Sequence, residues 1–136
     1  MVIMSVDYGD VRTGVAFCDK SETLASPYTV ITEKYAPKLA QKLCAIATEN
    51  QAEKIVVGLP VNMDGSRGYR CDECRNLGSM LNELSGLPVD FQDERLTTVI
   101  AHDFLSANHV KGKKRKEKVD AVSAVIILQS YLDKHK

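Results

Sequence analysis

The first third of the chain consists of short apolar runs separated by turn-forming residues. Residues 2–7 are nearly all apolar and end in an aspartate, which is typical of a central strand buried on both faces. Residues 13–18 and 28–32 are two further β-favouring runs. Because the connection between the first two runs is short, we expect a hairpin there and an antiparallel meander of three strands.

From residue 36 onward, the pattern changes to helices that alternate with strands. Pro37 suits the first turn of a helix. The apolar residues of this helix recur at helical spacing, at Leu39, Leu43, Ile46 and Ala47. Residues 54–58 are then typical of a buried strand.

A second helix is predicted after the turn-forming residues 59–66. Gly86 and Pro88 are expected to end it. Its predicted apolar stripe consists of Cys71, Cys74, Leu77, Leu81 and Leu84.

The last third begins with a short β-favouring run, residues 89–92, which leads into Asp93-Glu94-Arg95. Thr97 or Thr98 can then cap a helix that runs to about residue 107. A basic loop over residues 111–118 follows. Residues 119–132 are apolar on most of their helical circumference, which predicts a helix packed against the sheet.

This order of elements predicts one α/β domain over residues 1–136. Its core is expected to be a mixed five-stranded sheet, flanked by helices and with its first three strands antiparallel. A chain of 136 residues is long enough to bury such a core without disulfides or a structural metal.

Composition narrows the class of protein. No apolar run approaches the roughly 18 residues of a membrane span, so we expect no membrane partner. The first residues carry no basic leader and the four cysteines form no dense framework, so we expect a cytoplasmic protein with free thiols.

The distribution of charge points to a polyanionic partner. Basic and acidic residues number 18 each, but residues 111–118 hold six basic residues and one acidic residue. This local excess suits nucleic acid. A solvated surface loop is the alternative that charge alone leaves open.

Three acids stand where a catalytic site of an α/β domain would form. Asp7 and Glu94 end predicted strands, and Asp120 is expected to open the last helix. Carboxylates held close together need a positive partner, and oxygen-rich sites favour Mg²⁺ or Mn²⁺. Sequence spacing does not show that the three converge, and each taken alone is better explained as a surface or capping residue.

Four separated segments resemble the YqgF/RuvX family, the RNase H-like group of proposed pre-16S rRNA nucleases and Holliday junction resolvases. The first is Asp7-Tyr-Gly-Asp-Val-Arg12 with Gly14, and the second covers residues 58–66. The third covers residues 93–98 and the fourth residues 119–129. The resemblance spans nearly the whole chain and implies an RNase H-like fold. Position 123 is Ser where the family tends to have Ala.

The resemblance also implies roles for the three acids. In the family, the residues equivalent to Asp7, Glu94 and Asp120 are the proposed metal ligands for phosphodiester hydrolysis with one or two ions. Asp93 competes with Glu94, because neighbouring strand residues face opposite ways. The residues expected to contact nucleic acid are Arg12, Arg95, Lys111, Lys113, Lys114, Arg115, Lys116 and Lys118, and Lys118 is the one expected nearest the scissile phosphate.

Three functions remain open at this point. The resemblance favours a hydrolase that processes the 5′ end of pre-16S rRNA in ribosome biogenesis. A Holliday junction resolvase is the first alternative, and a noncatalytic nucleic-acid-binding assembly or transcription factor is the second. We expect a monomer or a weak homodimer, since no dimer surface is visible in the sequence.

Two other constellations favour structural roles. The pair Cys71-x-x-Cys74 lacks a second ligand pair for zinc and falls on a predicted apolar stripe, so core packing is favoured. His102, His109 and His135 have no nucleophile at motif spacing and are expected at the surface.

Overall fold

A five-stranded mixed sheet forms the centre of the protein. The structure, a computed structural model, describes residues 1–9, 11–59, 69–93 and 113–134, with the backbone alone for 69–71, 93 and 113–121. The strands are β1 (Ile3–Asp7), β2 (Arg12–Cys18), β3 (Ala25–Thr32), β4 (Lys54–Leu59) and β5 (Val89–Asp93). The helices in the described ranges are α1 (Ala36–Glu49), α2 (Tyr69–Ser85) and a third, α3 (Lys113–Lys134).

The strand order is β3-β2-β1-β4-β5. β1 pairs antiparallel with β2, and β2 with β3, as short connections require. β1 pairs parallel with β4, and β4 with β5, because a helix lies between the strands of each pair in the chain. The predicted mixed sheet and its antiparallel opening are therefore confirmed.

The two faces of the sheet pack against different helices. Met4 and Val6 of β1 belong to a core cluster with residues of α1 and α2. Ile3 belongs to a second cluster, which includes Ile127 and Leu128 of α3. Because successive side chains of β1 point to opposite faces of the sheet, this strand contributes to both core clusters. β1 is buried from Ile3 to Val6.

The ends of α1 and α2 follow the predicted chemistry. Pro37 lies in the first turn of α1, where its missing N–H costs no hydrogen bond. Gly86 follows α2 with a φ of 72°, a left-handed conformation that glycine adopts without strain. Cys74, Leu77 and Leu81 are buried as predicted, but Leu84 is 55% exposed, so its placement on the apolar stripe was wrong.

The basic segment is not a loop over most of its length. α3 begins at Lys113 and includes the basic run up to Lys118, so Asp120 lies two turns inside the helix and does not open it. Lys, Arg and Glu are good helix formers, and this run contains no residue that would break a helix.

The helix predicted after Thr97 or Thr98 lies outside the described residues, as do the three histidines. Within the described ranges, no helix is both long enough and apolar enough to cross a membrane.

Candidate active site

Asp7 is the last residue of β1 and lies half-buried at the end of the central strand. It stands opposite Gly14 of β2. Because strand residues alternate, Ile3, Ser5 and Asp7 share one face, and Ile3 identifies it as the face covered by α3. The structure thus directs Asp7 towards the helix that carries Asp120.

A buried hydrogen bond sets the position of α3 along β1. The Ser5 hydroxyl donates to the Ala124 carbonyl oxygen at 2.7 Å, and both residues have no exposed surface. Ile3, earlier in β1, packs with Ile127 and Leu128, later in α3. The helix therefore runs antiparallel to β1.

This antiparallel arrangement brings Asp7 and Asp120 to the same end of the sheet. Asp7 lies two strand residues beyond Ser5, roughly 6.6 Å along β1. Asp120 lies four helical residues before Ala124, roughly 6 Å along α3 in the same direction. The two displacements nearly match, so the backbone of Asp120 reaches the level of Asp7.

The third strand end at this edge belongs to β5. Leu59 of β4 pairs with Asp93, the last residue of β5, and Val6 of β1 pairs with Val57 of β4. The carboxyl ends of three parallel strands thus meet at one edge, as strand direction requires.

Glu94, Arg95 and Lys111 lie outside the described residues. The basic residues Lys113, Lys114, Arg115, Lys116 and Lys118 are described by their backbone in the first turns of α3.

Gly9 is required by the turn between β1 and β2. A Cβ atom at this position would lie 2.1 Å from the Arg12 carbonyl oxygen, a distance that no side chain tolerates. This backbone contact is sufficient to explain the glycine. Arg12, the first residue of β2, is half-buried and pairs with Thr32 of β3.

Hydrogen bonds of Gln129 and Tyr131 hold the carboxyl-terminal half of α3. The backbone N–H of Ala25 donates to the Gln129 side chain at 3.1 Å, and Gln129 donates to the Thr23 carbonyl oxygen at 3.2 Å.

The Tyr131 hydroxyl donates to Asp90 at 2.9 Å and accepts from Lys54. Burial raises the pKa of Tyr131, and the bond from Lys54 to Tyr131 raises the pKa of that lysine. These contacts fix α3 from the end opposite to Asp120.

Sequence reasoning missed Ser5 and the residues that hold α3. The signal for Ser5 was a hydroxyl inside an otherwise apolar strand, since a buried hydroxyl needs a partner. Gln129 and Tyr131 gave no such signal, because both residue types are common at helix surfaces.

The described side chains do not by themselves form a metal centre. Among them, no group of three or more His, Cys, Asp or Glu residues is placed to hold an ion. Cys74 is buried in the core, as predicted for the Cys71-x-x-Cys74 motif. Burial raises the pKa of the Cys18 and Cys44 thiols, which disfavours the thiolate needed for redox chemistry.

Comparison with known proteins assigns the chain to a family. Residues 1–134 match the profile of RuvX, described as "Holliday junction resolvase". The chain belongs to the RuvX family. A relative from Caldanaerobacter subterraneus, named "Putative pre-16S rRNA nuclease", is 41% identical over 137 residues, covering 100% of this chain and 99% of the relative. Membership places the chain in a family of nucleases.

Solved structures confirm the RNase H-like fold. The fowlpox virus resolvase, solved with Holliday junction DNA, superposes with a TM-score of 0.62 at 12% identity and covers 99% of each chain. RuvC of Thermus thermophilus superposes with a TM-score of 0.60 at 11% identity, covering 99% of this chain and 96% of RuvC. These TM-scores establish that the RuvX chain and the two resolvases share a fold, and at such low identities the comparison shows the fold alone.

Proposed function

We propose that this RuvX chain is a metal-dependent endonuclease that hydrolyses phosphodiester bonds, with Asp7, Glu94 and Asp120 as its catalytic and metal-binding residues. The observation that carries the proposal is the register between β1 and α3. The hydrogen bond from Ser5 to Ala124 fixes α3 against β1. Asp7 lies beyond Ser5 along the strand by nearly the same distance as Asp120 lies from Ala124 along the helix, and in the same direction.

The donor set suits Mg²⁺ or Mn²⁺. Three carboxylates offer only hard oxygen ligands, which these ions prefer. Asp7 is half-buried, so its carboxylate is held by the sheet and still accessible. A divalent ion bound there would lower the pKa of an attacking water and stabilise the leaving oxygen. Arg12, at the start of the neighbouring strand, supplies a guanidinium group for a phosphate oxygen.

The pattern of β5 favours Glu94 over Asp93. Asp90 accepts a hydrogen bond from Tyr131 and so faces α3. Phe91 belongs to the core on the opposite face, where its ring lies 2.7 Å from the Cβ position that Gly78 of α2 lacks. Because strand residues alternate between the two faces, an extension of β5 by one residue would place position 94 on the same face as position 90. Glu94 would then share the face of Asp7.

The helical start of α3 changes which lysine we propose for the scissile phosphate. Positions 116 and 113 precede Asp120 by four and seven residues, the spacing of one helix face. Position 118 precedes it by two residues and falls on a different face. Lys116 therefore takes the role that the loop interpretation gave to Lys118. Arg95, Lys111, Lys114, Arg115 and Lys118 are proposed to contact the backbone of more distant nucleotides.

The proposed substrate is the 5′ end of pre-16S rRNA, processed in the cytoplasm during ribosome biogenesis. The name of the Caldanaerobacter relative supports it, because that protein shares 41% identity over essentially its whole length. A Holliday junction is the second candidate, supported by the family description and by a resolvase of the same fold solved with junction DNA. Two symmetric cuts in a junction call for a twofold dimer, whereas rRNA processing needs one active site.

Cleavage assays with both substrates test the proposal. Labelled pre-16S rRNA and a labelled four-way DNA junction are incubated with Mg²⁺ or Mn²⁺ and either the wild type or Asp7→Asn. We expect metal-dependent cleavage of the rRNA that Asp7→Asn abolishes while its circular dichroism and Tm stay near those of the wild type. Preferential cleavage of the junction would identify the Holliday junction as the substrate in place of the rRNA. Binding without any cleavage would instead indicate a noncatalytic assembly factor.

A further inference from the structure

We propose a second nucleic-acid contact at the junction of β3 and α1, which we call the β3–α1 surface. It consists of Lys34, Tyr35 and Lys38. The proposed ligand is a single-stranded flank of the substrate, with a base stacked on Tyr35 and phosphates bound by the two lysines. The inference rests on the proposed function and extends the binding site beyond the residues that the sequence indicated.

The β3–α1 surface lies at the same edge of the sheet as Asp7. Asp7 pairs with Gly14, and Gly14 pairs with Val30 of β3. β3 then continues to Thr32, opposite Arg12, and the backbone N–H of Glu33 donates to the Val11 carbonyl oxygen at 2.9 Å. Two strand spacings separate β3 from β1, roughly 10 Å. A strand bound at Asp7 therefore reaches this surface within a few nucleotides.

The charge of the β3–α1 surface is positive. Residues 33–42 contain three lysines and one glutamate. Glu33 is already engaged: one carboxylate oxygen lies 2.9 Å from the Lys42 ammonium, and the other accepts from the Tyr35 backbone N–H at 3.3 Å. The bond from Lys42 lowers the pKa of Glu33, so this carboxylate stays ionised and paired. Lys34 and Lys38 are exposed.

Tyr35 adds an aromatic face to this positive surface. Its side chain is 60% exposed at the N-cap of α1, although burying an aromatic ring is ordinarily favourable. Tyr28, in the edge strand β3, is also exposed, but its ring packs edge-on against Phe17 with centroids 5.1 Å apart. An exposed ring with exposed lysines close to it in the chain, at positions 34 and 38, is the combination that single-strand-binding proteins use.

The exposed ring favours a single strand over a duplex as the occupant. Bases within a duplex are stacked on one another and leave no face for an aromatic side chain. An unpaired base offers its whole π-face, and stacking of this kind tolerates any sequence.

Binding measured in a chelator tests the β3–α1 surface separately from catalysis. The full chain is titrated, in EDTA, against a labelled hairpin RNA with a single-stranded tail and against the same hairpin with a blunt end. The variants are Tyr35→Ala, Tyr35→Phe and the double variant Lys34→Gln/Lys38→Gln. Lys20→Gln is the matched control, because Lys20 is an exposed lysine in the β2–β3 turn at the opposite end of the sheet.

We expect Tyr35→Ala to weaken binding of the tailed hairpin by at least about fivefold. Tyr35→Phe should bind the tailed hairpin as the wild type does, since phenylalanine keeps the stacking face. The double lysine variant should lower the salt dependence of tailed-hairpin binding by roughly 0.7 in logarithmic slope per lost phosphate contact. Blunt-hairpin binding and the Lys20→Gln control should stay unchanged.

Three results would overturn the inference: equal losses on tailed and blunt hairpins, a Tyr35→Phe variant as weak as Tyr35→Ala, or no loss at all. If the wild type cleaves RNA with metal and Tyr35→Ala binds normally, the β3–α1 surface fails and the proposed function stands. If the wild type binds neither hairpin and cleaves nothing, both proposals fail together.

Discussion

At the scale of single residues, two buried serines, Ser5 in β1 and Ser123 in α3, differ in their hydrogen bonding. Ser5 donates its hydroxyl to Ala124, whereas the Ser123 hydroxyl is buried with no hydrogen-bond partner among the described residues. An unpaired buried hydroxyl costs free energy. An alanine at position 123 would avoid that cost, so the serine there is not explained by packing.

The start of α3 gives a prediction about two lysines that differ only in their helical face. Lys116→Gln should reduce kcat on pre-16S rRNA by about tenfold or more, because position 116 shares the face of Asp120. Lys118→Gln is the matched control and should change kcat little, while both variants lower the salt dependence of binding. Single-turnover cleavage and salt titrations measure the two effects. Equal losses of kcat would contradict the assignment of Lys116 to the site.

At the scale of elements, the position of α3 along β1 decides whether the acids can act together. Ser5 lies closest to the site, while Gln129 and Tyr131 hold the far end of the helix. A shift of one helical turn would move Asp120 by roughly 5.4 Å relative to Asp7, which would separate the two proposed metal ligands.

Replacing Ser5 tests this dependence. Ser5→Ala should lower the free energy of unfolding by about 1 kcal/mol, because one buried hydrogen bond is lost. Ser123→Ala, the same change at an unpaired hydroxyl, should leave stability equal or higher. Urea denaturation measures both.

A functional control separates stability from position in the Ser5 experiment. Gln129→Ala removes three hydrogen bonds at the far end of α3, two to the β2–β3 region and one to Asp133, and should also lower the free energy of unfolding. Mn²⁺ affinity, measured by calorimetry, should fall in Ser5→Ala and stay near the wild type in Gln129→Ala. Equal Mn²⁺ affinities in the two variants would show that Ser5 contributes stability alone.

The sheet could be predicted from the sequence because its strands carry local signals. Residues 2–7 and 54–58 are apolar runs bounded by turns, and Pro37 and Gly86 mark helix ends by their backbone chemistry. The start of α3 could not be predicted in the same way. A run of lysines is compatible with a solvated loop or a solvated helix, and contacts of the later apolar turns with the sheet favour the helix.

At the scale of the whole molecule, the candidate site was only partly predictable. Strand ends placed Asp7 at one edge of the sheet, but the relation between Asp7 and Asp120 spans more than a hundred residues of sequence. It depends on long-range contacts such as the one from Ser5 to Ala124, which no local pattern encodes. The strand-end positions and the resemblance of four sequence segments supplied the triad as a hypothesis, and the register of α3 supports the pairing of Asp7 with Asp120.

The central claim is that Asp7 and Asp120 hold one divalent ion. Calorimetric titration of Mn²⁺ into the wild type, Asp7→Asn, Asp120→Asn and the exposed control Asp72→Asn tests it most directly. The account predicts that either of the first two variants weakens Mn²⁺ binding by at least about tenfold, that combining them adds little further loss, and that Asp72→Asn binds as the wild type does. Unchanged affinity in Asp7→Asn or Asp120→Asn, with the fold intact by circular dichroism, would contradict it.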